Sequence, residues 1–284
     1  MTWPASSIRR YAAFSDTPTG GNPAGVVLDA ATLDEAQMQG IAAQVGYSET
    51  AFLTGPITQD TVIPVRYFAP EGEVDFCGHA TIATAVALGD VAGVGAYQLA
   101  TRVGIVRITA DRDATGATGT LESPPLDCFP LQSAHLDALL QALGWSEADL
   151  DPEYPPAIGF GGNKHPILVS RDPQRLRTLD YDFDALKALC REHQWITVQL
   201  ITSTGPGTWQ ARDPFPWGGV VEDPATGAAA AAFAGYLASL DRITPGDSFV
   251  IHQGADMGRP STLEVTLHSH TATVSGHATP IPAS

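Results

Sequence analysis

The stretch RYFAPEGEVDFCGHATIATAVAL (residues 66–88) has a counterpart, RDPFPWGGVVEDPATGAAAAAFAGYL (residues 212–237), in the second half of the chain. Each begins with arginine, passes through Pro and Gly, and runs into a helix of small apolar residues. A second pair, GNP (21–23) and GNK (162–164), precedes an apolar strand in each half. Two repeats in the same order indicate a duplicated βα module, with chance similarity between Gly- and Ala-rich segments as the alternative. In such a fold we expect the site between the halves, where pockets concentrate.

The chain has 284 residues, of which 44% are hydrophobic and 16% are charged. This composition excludes intrinsic disorder, and the length suits one large domain or two modest ones. The net charge of −16 disfavours nucleic acid, whose phosphates need Lys and Arg contacts, and anionic membrane surfaces. The three cysteines are far apart in sequence, which is typical of reduced thiols, and no signal peptide is visible. We therefore expect a cytoplasmic protein without nucleic-acid or membrane partners.

Familiar motifs for binding nucleotides or zinc, and for a hydrolase nucleophile, are missing from the sequence. It contains no GxxxxGKS/T, GxSxG or HExxH, and the glycine-rich segment 159–162 fails the full GxGxxG pattern. The eight histidines form no i, i+4 pair suited to a metal. We therefore expect no metal, and chemistry that comes from acidic side chains, histidine and helix termini.

Local patterns predict both strands and helices. The predicted strands are residues 8–14, 24–28, 50–53, 62–68, 166–170, 196–202, 248–252 and 262–274, with a further β region over 95–122. The predicted helices are residues 33–45, 80–88, 135–143, 183–192 and 225–237. The segment 122–130 contains three prolines, and we interpret it as a linker between domains 1–122 and 130–284. Packing of the last strands on the first half stays open.

Two polar segments stand just before predicted helices, DFCGHAT (75–81) and EDPATG (222–227). Glycine allows close approach of a ligand, and the free N–H groups of a helix start suit an anion. Two such termini could hold a carboxylate and stabilise enolate charge, and ordinary capping by Asp75 or Asp223 is the alternative. Glu49 falls between a predicted helix and a strand whose neighbours are apolar, so it is either a partly desolvated acid suited to proton transfer or an ordinary solvated loop acid.

These segments together resemble the PhzF-like (phenazine biosynthesis) family, relatives of diaminopimelate epimerase. The matching segments are GNPAGV (21–26), SETAF (48–52), RYFAP (66–70), DFCGHAT (75–81), EDPATG (222–227), QG (253–254) and MGRPS (257–261). They occur in order and span nearly the whole chain. The resemblance implies an α/β (α+β) fold of two similar, pseudo-symmetric halves, each a mixed sheet wrapped around a central helix.

The resemblance also implies a cofactor-independent enzyme that is often a homodimer. The family's general acid/base falls on Glu49, its active-site histidine on His79 and its aspartate on Asp223. Glu49 would move a proton along an unsaturated system, and the other two would position polar groups of the substrate. The expected substrate-binding residues are Asn22, Gly78, Ala80, Asn163, Thr226, Gly227 and Ala228.

Some residues depart from the family pattern. Ala228 stands where relatives commonly have serine, which removes one hydroxyl donor. Cys77 matches one of the two epimerase cysteines but Asp223 occupies the other place, so a two-thiol racemase is disfavoured and Cys77 is interpreted as a small filler. We expect an isomerase of a small unsaturated carboxylate or amino acid. A hydrolase or tautomerase acting on an enamine-like intermediate, and a non-catalytic binding protein, are the alternatives.

Overall fold

The computed structural model describes residues 8–282, which fall into two compact units. The first unit holds the described residues up to Glu122 together with residues 275–282, and the second holds Ser123–Val274. The sequence put the domain boundary in the same region but assigned residues 130–284 to the second half. The C-terminal residues instead group with the first unit because the last strand pairs with the first strand of the chain, with Tyr11 opposite Pro280.

The first unit is built mainly from strands. Its elements are β1 (Arg9–Ala13), β2 (Asn22–Val27), α1 (Glu35–Val45), β3 (Glu49–Leu53), β4 (Val62–Ala69), β5 (Gly72–Val74), α2 (Gly78–Ala92), β6 (Gly95–Thr101), β7 (Gly104–Arg112) and β8 (Ala117–Glu122). The last strand of the chain, β17 (Ala272–Pro280), completes the set. The strand order β1–β2–β3–β4–β6–β7–β8–β17 returns to β1 and so closes an eight-stranded barrel.

The second unit repeats this plan. Its elements are β9 (Asp127–Pro130), α3 (Ser133–Leu143), β10 (Ala157–Phe160), β11 (Lys164–Val169), α4 (Pro173–Arg177), α5 (Phe183–His193), β12 (Gln199–Gly205), β13 (Thr208–Pro214), β14 (Glu222–Asp223), α6 (Gly227–Ser239), β15 (Ser248–Gln253) and β16 (Ser261–Leu267). Along β10–β11–β12–β13–β15–β16 the pairings alternate antiparallel and parallel, as they do along β1–β2–β3–β4–β6–β7. The predicted duplication is thereby confirmed.

A buried helix stands at the centre of each unit. Ten consecutive residues of α2, from His79 to Leu88, are buried, and α2 packs on β1, β2, β3, β7 and β8. The helix α6 packs on β9, β10, β11 and β16 in the same way. A helix surrounded by strands must be apolar on every side, and alanine keeps it thin enough to fit. Close packing also explains Gly161, where an added Cβ would lie 2.7 Å from the carbonyl oxygen of Ala228.

An arginine–glutamate pair closes the same turn in both units. Arg66 on β4 donates from Nε to Glu73 on β5 at 2.7 Å. Arg212 on β13 donates from Nε to Glu222 on β14 at 2.9 Å. Only 11% of the Arg212 side chain and 3% of the Glu222 side chain are exposed, so this second pair is a buried salt bridge. These pairs hold the loops that lead into α2 and α6.

Two local expectations need revision. The division between the units falls inside the proposed linker, but the end of that segment forms the strand β9, which pairs with β10 because the prolines stand before and at the end of the paired residues. The expected strand 262–274 is two strands separated by a turn at residues 268–271, where His268 donates from its backbone N–H to the oxygen of Thr271. Within residues 8–282, no helix combines the length and apolarity needed to span a membrane.

Candidate active site

The first unit brings three of the expected site residues together, with Asn22 and Glu49 beside His79. His79 is the second residue of α2, while Asn22 and Glu49 begin the strands β2 and β3. These strands are parallel, with Ala24 opposite Glu49, so their starts lie side by side. The side chain of His79 is 7% exposed and that of Glu49 is 13% exposed. Because so little of its side chain is exposed, Glu49 is a partly desolvated acid and not an ordinary solvated loop acid.

The imidazole of His79 is held on both of its nitrogens. Asn22 Nδ2 lies 3.0 Å from Nδ1, and Ser48 Oγ lies 3.2 Å from Nε2. Glu49 Oε2 is 3.3 Å from the same Nε2. Burial lowers the pKa of His79, although the charge of Glu49 opposes this shift. The ring is therefore neutral at neutral pH, and with Nδ1 accepting from the amide of Asn22 its remaining proton sits on Nε2, next to the carboxylate.

Cys77 contacts the imidazole of His79. It is the N-cap residue of α2 and makes no side-chain capping bond. Its Sγ lies 3.4 Å from Nδ1 and 3.7 Å from Nε2 of His79. One oxygen of Glu49, the sulfur and one ring nitrogen all lie within 4.8 Å of one another, the sole such group of potential metal ligands among residues 8–282.

The second unit builds a different polar cluster at the start of α6. Asp223 accepts a hydrogen bond from the hydroxyl of Thr226, the N-cap residue, at 2.6 Å. Gln253, the last residue of β15, donates from Nε2 to the backbone oxygen of Asp223 at 2.7 Å and accepts from the backbone N–H of Thr226 at 3.2 Å. Gly254 follows with φ of 75°, and a Cβ there would lie 2.6 Å from the oxygen of Pro224. The loop around Asp223 is thus fixed from several sides.

Two further buried groups lie on strands of the second unit. Asp213 on β13 is fully buried opposite Asp223, and burial raises its pKa well above the usual range, with the charge of Asp223 adding to the effect. His165 on β11 shares a hydrogen bond of 2.8 Å between its Nδ1 and Thr197 Oγ1. Burial lowers the pKa of His165 to about 3. Burial therefore favours the neutral form of Asp213, and His165 is uncharged at neutral pH.

The two helix starts bear on the choice between anion binding and ordinary capping. Neither Cys77 at α2 nor Thr226 at α6 caps its helix through the side chain. Asp75 is 72% exposed and lies 3.6 Å from Arg102, so it is not the cap of α2. The first-turn N–H groups of a helix attract negative charge when no side chain satisfies them. Capping of α2 by Asp75 is therefore wrong, while anion binding at the two helix starts stays a prediction.

The remaining expected residues sit at these same helix starts. Gly78 and Ala80 belong to the first turn of α2, and Gly227 and Ala228 to the first turn of α6. Asn163 lies in the turn between β10 and β11 and accepts a backbone hydrogen bond from Gly161 at 3.2 Å. No contact of its side chain with the other expected residues is among the hydrogen bonds of the described chain, so its role stays a prediction.

The sequence interpretation missed three residues. Ser48 contacts His79, Gln253 holds Asp223, and Asp213 is buried beside it. Ser48 and Gln253 lie inside segments that carried the family resemblance, but nothing in their spacing revealed their partners. Asp213 departs from the Arg-x-Phe-Ala-Pro pattern of the first copy, and an acidic residue directly after the arginine of the repeated segment was the available signal.

The two-unit architecture, with a helix inside each strand layer, defines the class of diaminopimelate epimerase-like isomerase folds. A solved probable proline racemase from Agrobacterium radiobacter shares it, with a TM-score of 0.66 at 14% identity over 96% of this chain and 90% of that one. This likeness concerns the fold alone. A solved PhzF-family phenazine biosynthesis protein from Bacillus anthracis is more similar, with a TM-score of 0.83 at 25% identity over 97% of this chain and 96% of that one.

Sequence comparison identifies the family. The phenazine biosynthesis-like protein (PhzC-PhzF) family model matches residues 11–283. An uncharacterized isomerase of Deinococcus radiodurans is 35% identical over 94% of this chain and 88% of the relative. A trans-2,3-dihydro-3-hydroxyanthranilate isomerase of Pseudomonas fluorescens is 32% identical over 88% of this chain and 86% of the relative. The chain belongs to the phenazine biosynthesis-like (PhzC-PhzF) family, and it is an isomerase.

Proposed function

We propose that this isomerase moves a proton within a small unsaturated carboxylate or amino acid without a cofactor, and that Glu49 is the general acid/base. The observation that carries the proposal is the Glu49 carboxylate held 3.3 Å from Nε2 of a buried, neutral His79 at the start of α2. A carboxylate in this setting is little hydrated and fixed in direction, which suits it to take a proton from carbon.

The reaction needs a carbon acidified by an adjacent unsaturated system. Glu49 removes a proton from that carbon, the electron pair moves along the allylic system, and the same carboxyl group returns the proton to a carbon further along. His79 lies against the carboxylate, with Nε2 3.3 Å from Oε2, and so helps to keep it in place. The N–H groups of the first turn of α2, around Gly78, are suited to the substrate carboxylate, because Cys77 makes no side-chain capping bond there.

Asp223 has a positioning role in this proposal. Thr226 and Gln253 fix its carboxylate and its backbone, so it presents an acceptor in one direction to polar groups of the substrate. The name of the Pseudomonas fluorescens relative supports a cyclic amino acid as the first substrate to test. Ala228 removes one hydroxyl from the start of α6, and we therefore expect the preferred substrate to differ from trans-2,3-dihydro-3-hydroxyanthranilate in the group that faces it.

The decisive experiment measures solvent deuterium incorporation. The protein is incubated in D₂O with trans-2,3-dihydro-3-hydroxyanthranilate and a panel of related unsaturated carboxylates and amino acids, and products are read by proton NMR and mass spectrometry. We expect deuterium at a single carbon with the parent protein and with the exposed control Glu71→Gln, and none with Glu49→Gln. Isomerisation by Glu49→Gln at the parent rate would refute the assignment of Glu49.

The same experiment separates the alternatives. A hydrolase or tautomerase acting on an enamine-like intermediate would release ammonia or give a keto product. A binding protein would be stabilised by ligand without exchanging hydrogen. Turnover that survives exhaustive dialysis against a chelator would support cofactor independence. The expected homodimer is checked separately by light scattering coupled to size-exclusion chromatography.

A further inference from the structure

We infer that Asp213 on β13 is held as a neutral carboxylic acid that donates its O–H to the carboxylate of Asp223, and that it thereby fixes the direction in which Asp223 meets the substrate. Asp213 is then a positioning residue and not a catalytic residue. Its neutral state and the hydrogen bond rest on the arrangement of the second unit alone. The effect on turnover rests in addition on the proposed function, which gives Asp223 its role toward the substrate.

The pairing of β13 with β14 puts two acidic residues on one face and an ion pair on the other. Asp213 lies directly opposite Asp223, and Pro214 lies opposite Glu222. Directly opposite residues of an antiparallel pair point to the same face, with Cβ atoms about 4.5–5.5 Å apart. Successive side chains of a strand alternate, so Arg212 points to the other face, where it binds Glu222. The guanidinium of Arg212 is therefore turned away from the two aspartates.

The neighbours of Asp213 on its own face are polar but uncharged. The register of β12 and β13, in which Leu200 lies opposite Arg212, continues to place Gln199 opposite Asp213. Thr226, at the start of α6, and Gln253, at the end of β15, also act on the Asp213 carboxyl group. Among the described residues, these contacts bring no cation to the face that Asp213 shares with Asp223.

The remaining titratable groups around β13 leave that conclusion unchanged. They are Glu222 on β14, Arg212 on β13, His165 on β11, His252 on β15, Asp256 after β15, and Arg175 and Arg177 on α4. His165 is neutral, and His252 is exposed and pairs with Gln210. The helix α4 lies on the outer face, where Arg212 donates from Nη1 to the backbone oxygen of Arg177. Asp256 acts on the same guanidinium.

A proton on Asp213 supplies the donor that this face lacks. Asp213 is fully buried, and as a carboxylate neither of its oxygens has a hydrogen-bond partner among the described residues. Two carboxylates that share a buried site do not both ionise, and the proton favours the more buried of the two, here Asp213. A protonated carboxyl group has one O–H to donate, and the Asp223 carboxylate stands opposite as acceptor. The raised pKa of Asp213 agrees with this state.

The matching position of the first unit also carries a buried hydroxyl donor. Tyr67 follows Arg66 as Asp213 follows Arg212, and its hydroxyl lies 2.7 Å from Thr81 Oγ1 at the start of α2. Because Thr81 donates its own proton to the backbone oxygen of Cys77, the hydroxyl of Tyr67 is the donor in this pair. In both units, therefore, the residue after the arginine is placed to send an O–H toward the loop or helix start beside it.

The hydrogen bond from Asp213 would complete the support of Asp223. The hydroxyl of Thr226 already donates to Asp223 Oδ2 at 2.6 Å. A second donor, on the neighbouring strand, prevents the carboxylate from rotating about its last bond. It does so without adding a negative charge beside Asp223, which an ionised Asp213 would do. An anionic substrate would then meet one negative charge at this position and not two.

Infrared difference spectroscopy on the full chain tests the neutral acid without any substrate. The carbonyl stretch of a protonated carboxyl group is separate from the bands of carboxylates and amides. At neutral pH we expect this band in the parent and its loss in Asp213→Asn. The matched control Asp137→Asn, at an exposed residue of α3, should keep it. A parent without the band, or a band that survives in Asp213→Asn, would overturn the neutral acid.

Deuterium exchange in D₂O tests the positioning role. Asn at position 213 still offers an N–H donor without a charge, so Asp213→Asn should keep the parent rate. Asp213→Ala has no donor, and its rate should fall roughly tenfold or more, as expected for the loss of one hydrogen bond to a charged group. Asp213→Val, which fills more of the space, repeats the comparison if Asp213→Ala does not fold. Circular dichroism checks the fold of each variant.

The two parts of the inference fail in different ways. A rate in Asp213→Asn as low as that of a donor-free variant would show that an ionised Asp213 is needed, and would overturn the neutral acid. Donor-free variants that exchange at the parent rate would overturn the positioning role, whatever the infrared band shows. If the parent exchanges no substrate at all, the proposed function fails and the positioning role fails with it, while the infrared band still decides the protonation of Asp213.

Discussion

His165 gives the protein a measurable dependence of stability on pH. Its ring is fully buried on β11, with Nδ1 paired to Thr197 Oγ1 at 2.8 Å and with Nε2 lacking a hydrogen-bond partner among the described residues. Burial lowers its pKa to about 3. The substitution His165→Asn places an amide near the position of Nδ1, keeps a partner for Thr197, and removes the titration.

The magnitude follows from the two pKa values. In the unfolded chain histidine has a pKa of about 6.5. Between about pH 6.5 and about pH 3 the unfolded state therefore binds one proton more than the folded state. The free energy of unfolding therefore falls by about 1.4 kcal/mol for each pH unit as the solution is acidified through this window. Between about pH 6.5 and about pH 4.5 the parent protein should lose about 2.3 kcal/mol relative to His165→Asn, because histidine in the unfolded chain is already half-protonated at the upper limit.

Urea unfolding at constant ionic strength measures this difference. Tryptophan fluorescence follows the second unit, where Trp145, Trp195 and Trp209 are buried. The difference in free energy between variant and parent cancels the contributions of all other groups. A difference that stays constant from about pH 7.5 to about pH 4.5 would show that His165 takes up a proton in the folded state, and the argument from burial would fail.

Asp213→Asn should show the opposite sign. Because burial raises the pKa of Asp213, the unfolded state loses that proton at lower pH than the folded state. The free energy of unfolding of the parent should therefore fall by about 1.4 kcal/mol per pH unit, relative to the variant, as pH rises above about 4. Equal slopes for parent and variant in the same urea series would contradict this. Glu222→Gln should lower the free energy of unfolding by about 3 kcal/mol, because it leaves a buried arginine without its counter-charge. Glu35→Gln, at a side chain that is 71% exposed, should lower it by less than about 0.5 kcal/mol. Similar losses for the two variants in chemical denaturation would refute the distinction between the buried and the exposed pair. Gly254→Ala should destabilise the protein by at least about 1 kcal/mol more than Gly258→Ala. Both glycines have positive φ, but only Gly254 has no room for a Cβ. Equal melting temperatures of the two variants would show that the loop around Gly254 moves to accommodate the Cβ.

The local pattern of the chain carries much of the architecture. The paired segments 66–88 and 212–237 predict the duplication, and the Ala-rich runs predict helices buried on every side. Both follow from composition, because a helix inside a strand layer has no polar face. The helix starts at Gly78 and Gly227 were also visible, since glycine and small polar residues stand directly before apolar periodicity.

The assembly of the active-site cluster depended on the tertiary structure. Asn22, Glu49 and His79 are far apart in sequence, and they meet because β2 and β3 pair in parallel with Ala24 opposite Glu49. Strand partners are chosen by packing of the whole layer, which period-two alternation does not encode. The contact of Ser48 with the same imidazole depends on that pairing as well.

Protonation states were likewise decided by the fold. The presence of an aspartate at position 213 does not determine whether its carboxyl group is ionised. Burial opposite Asp223 favours the neutral form. The placement of the C-terminal residues could not be read from the sequence either. They group with the first unit because they pair with β1, at the other end of the chain. The sequence by itself determined the repeated modules, the buried helices and the types of reactive residue. Only the tertiary structure decided which of those residues touch and which are shielded from water, because both depend on contacts between distant segments.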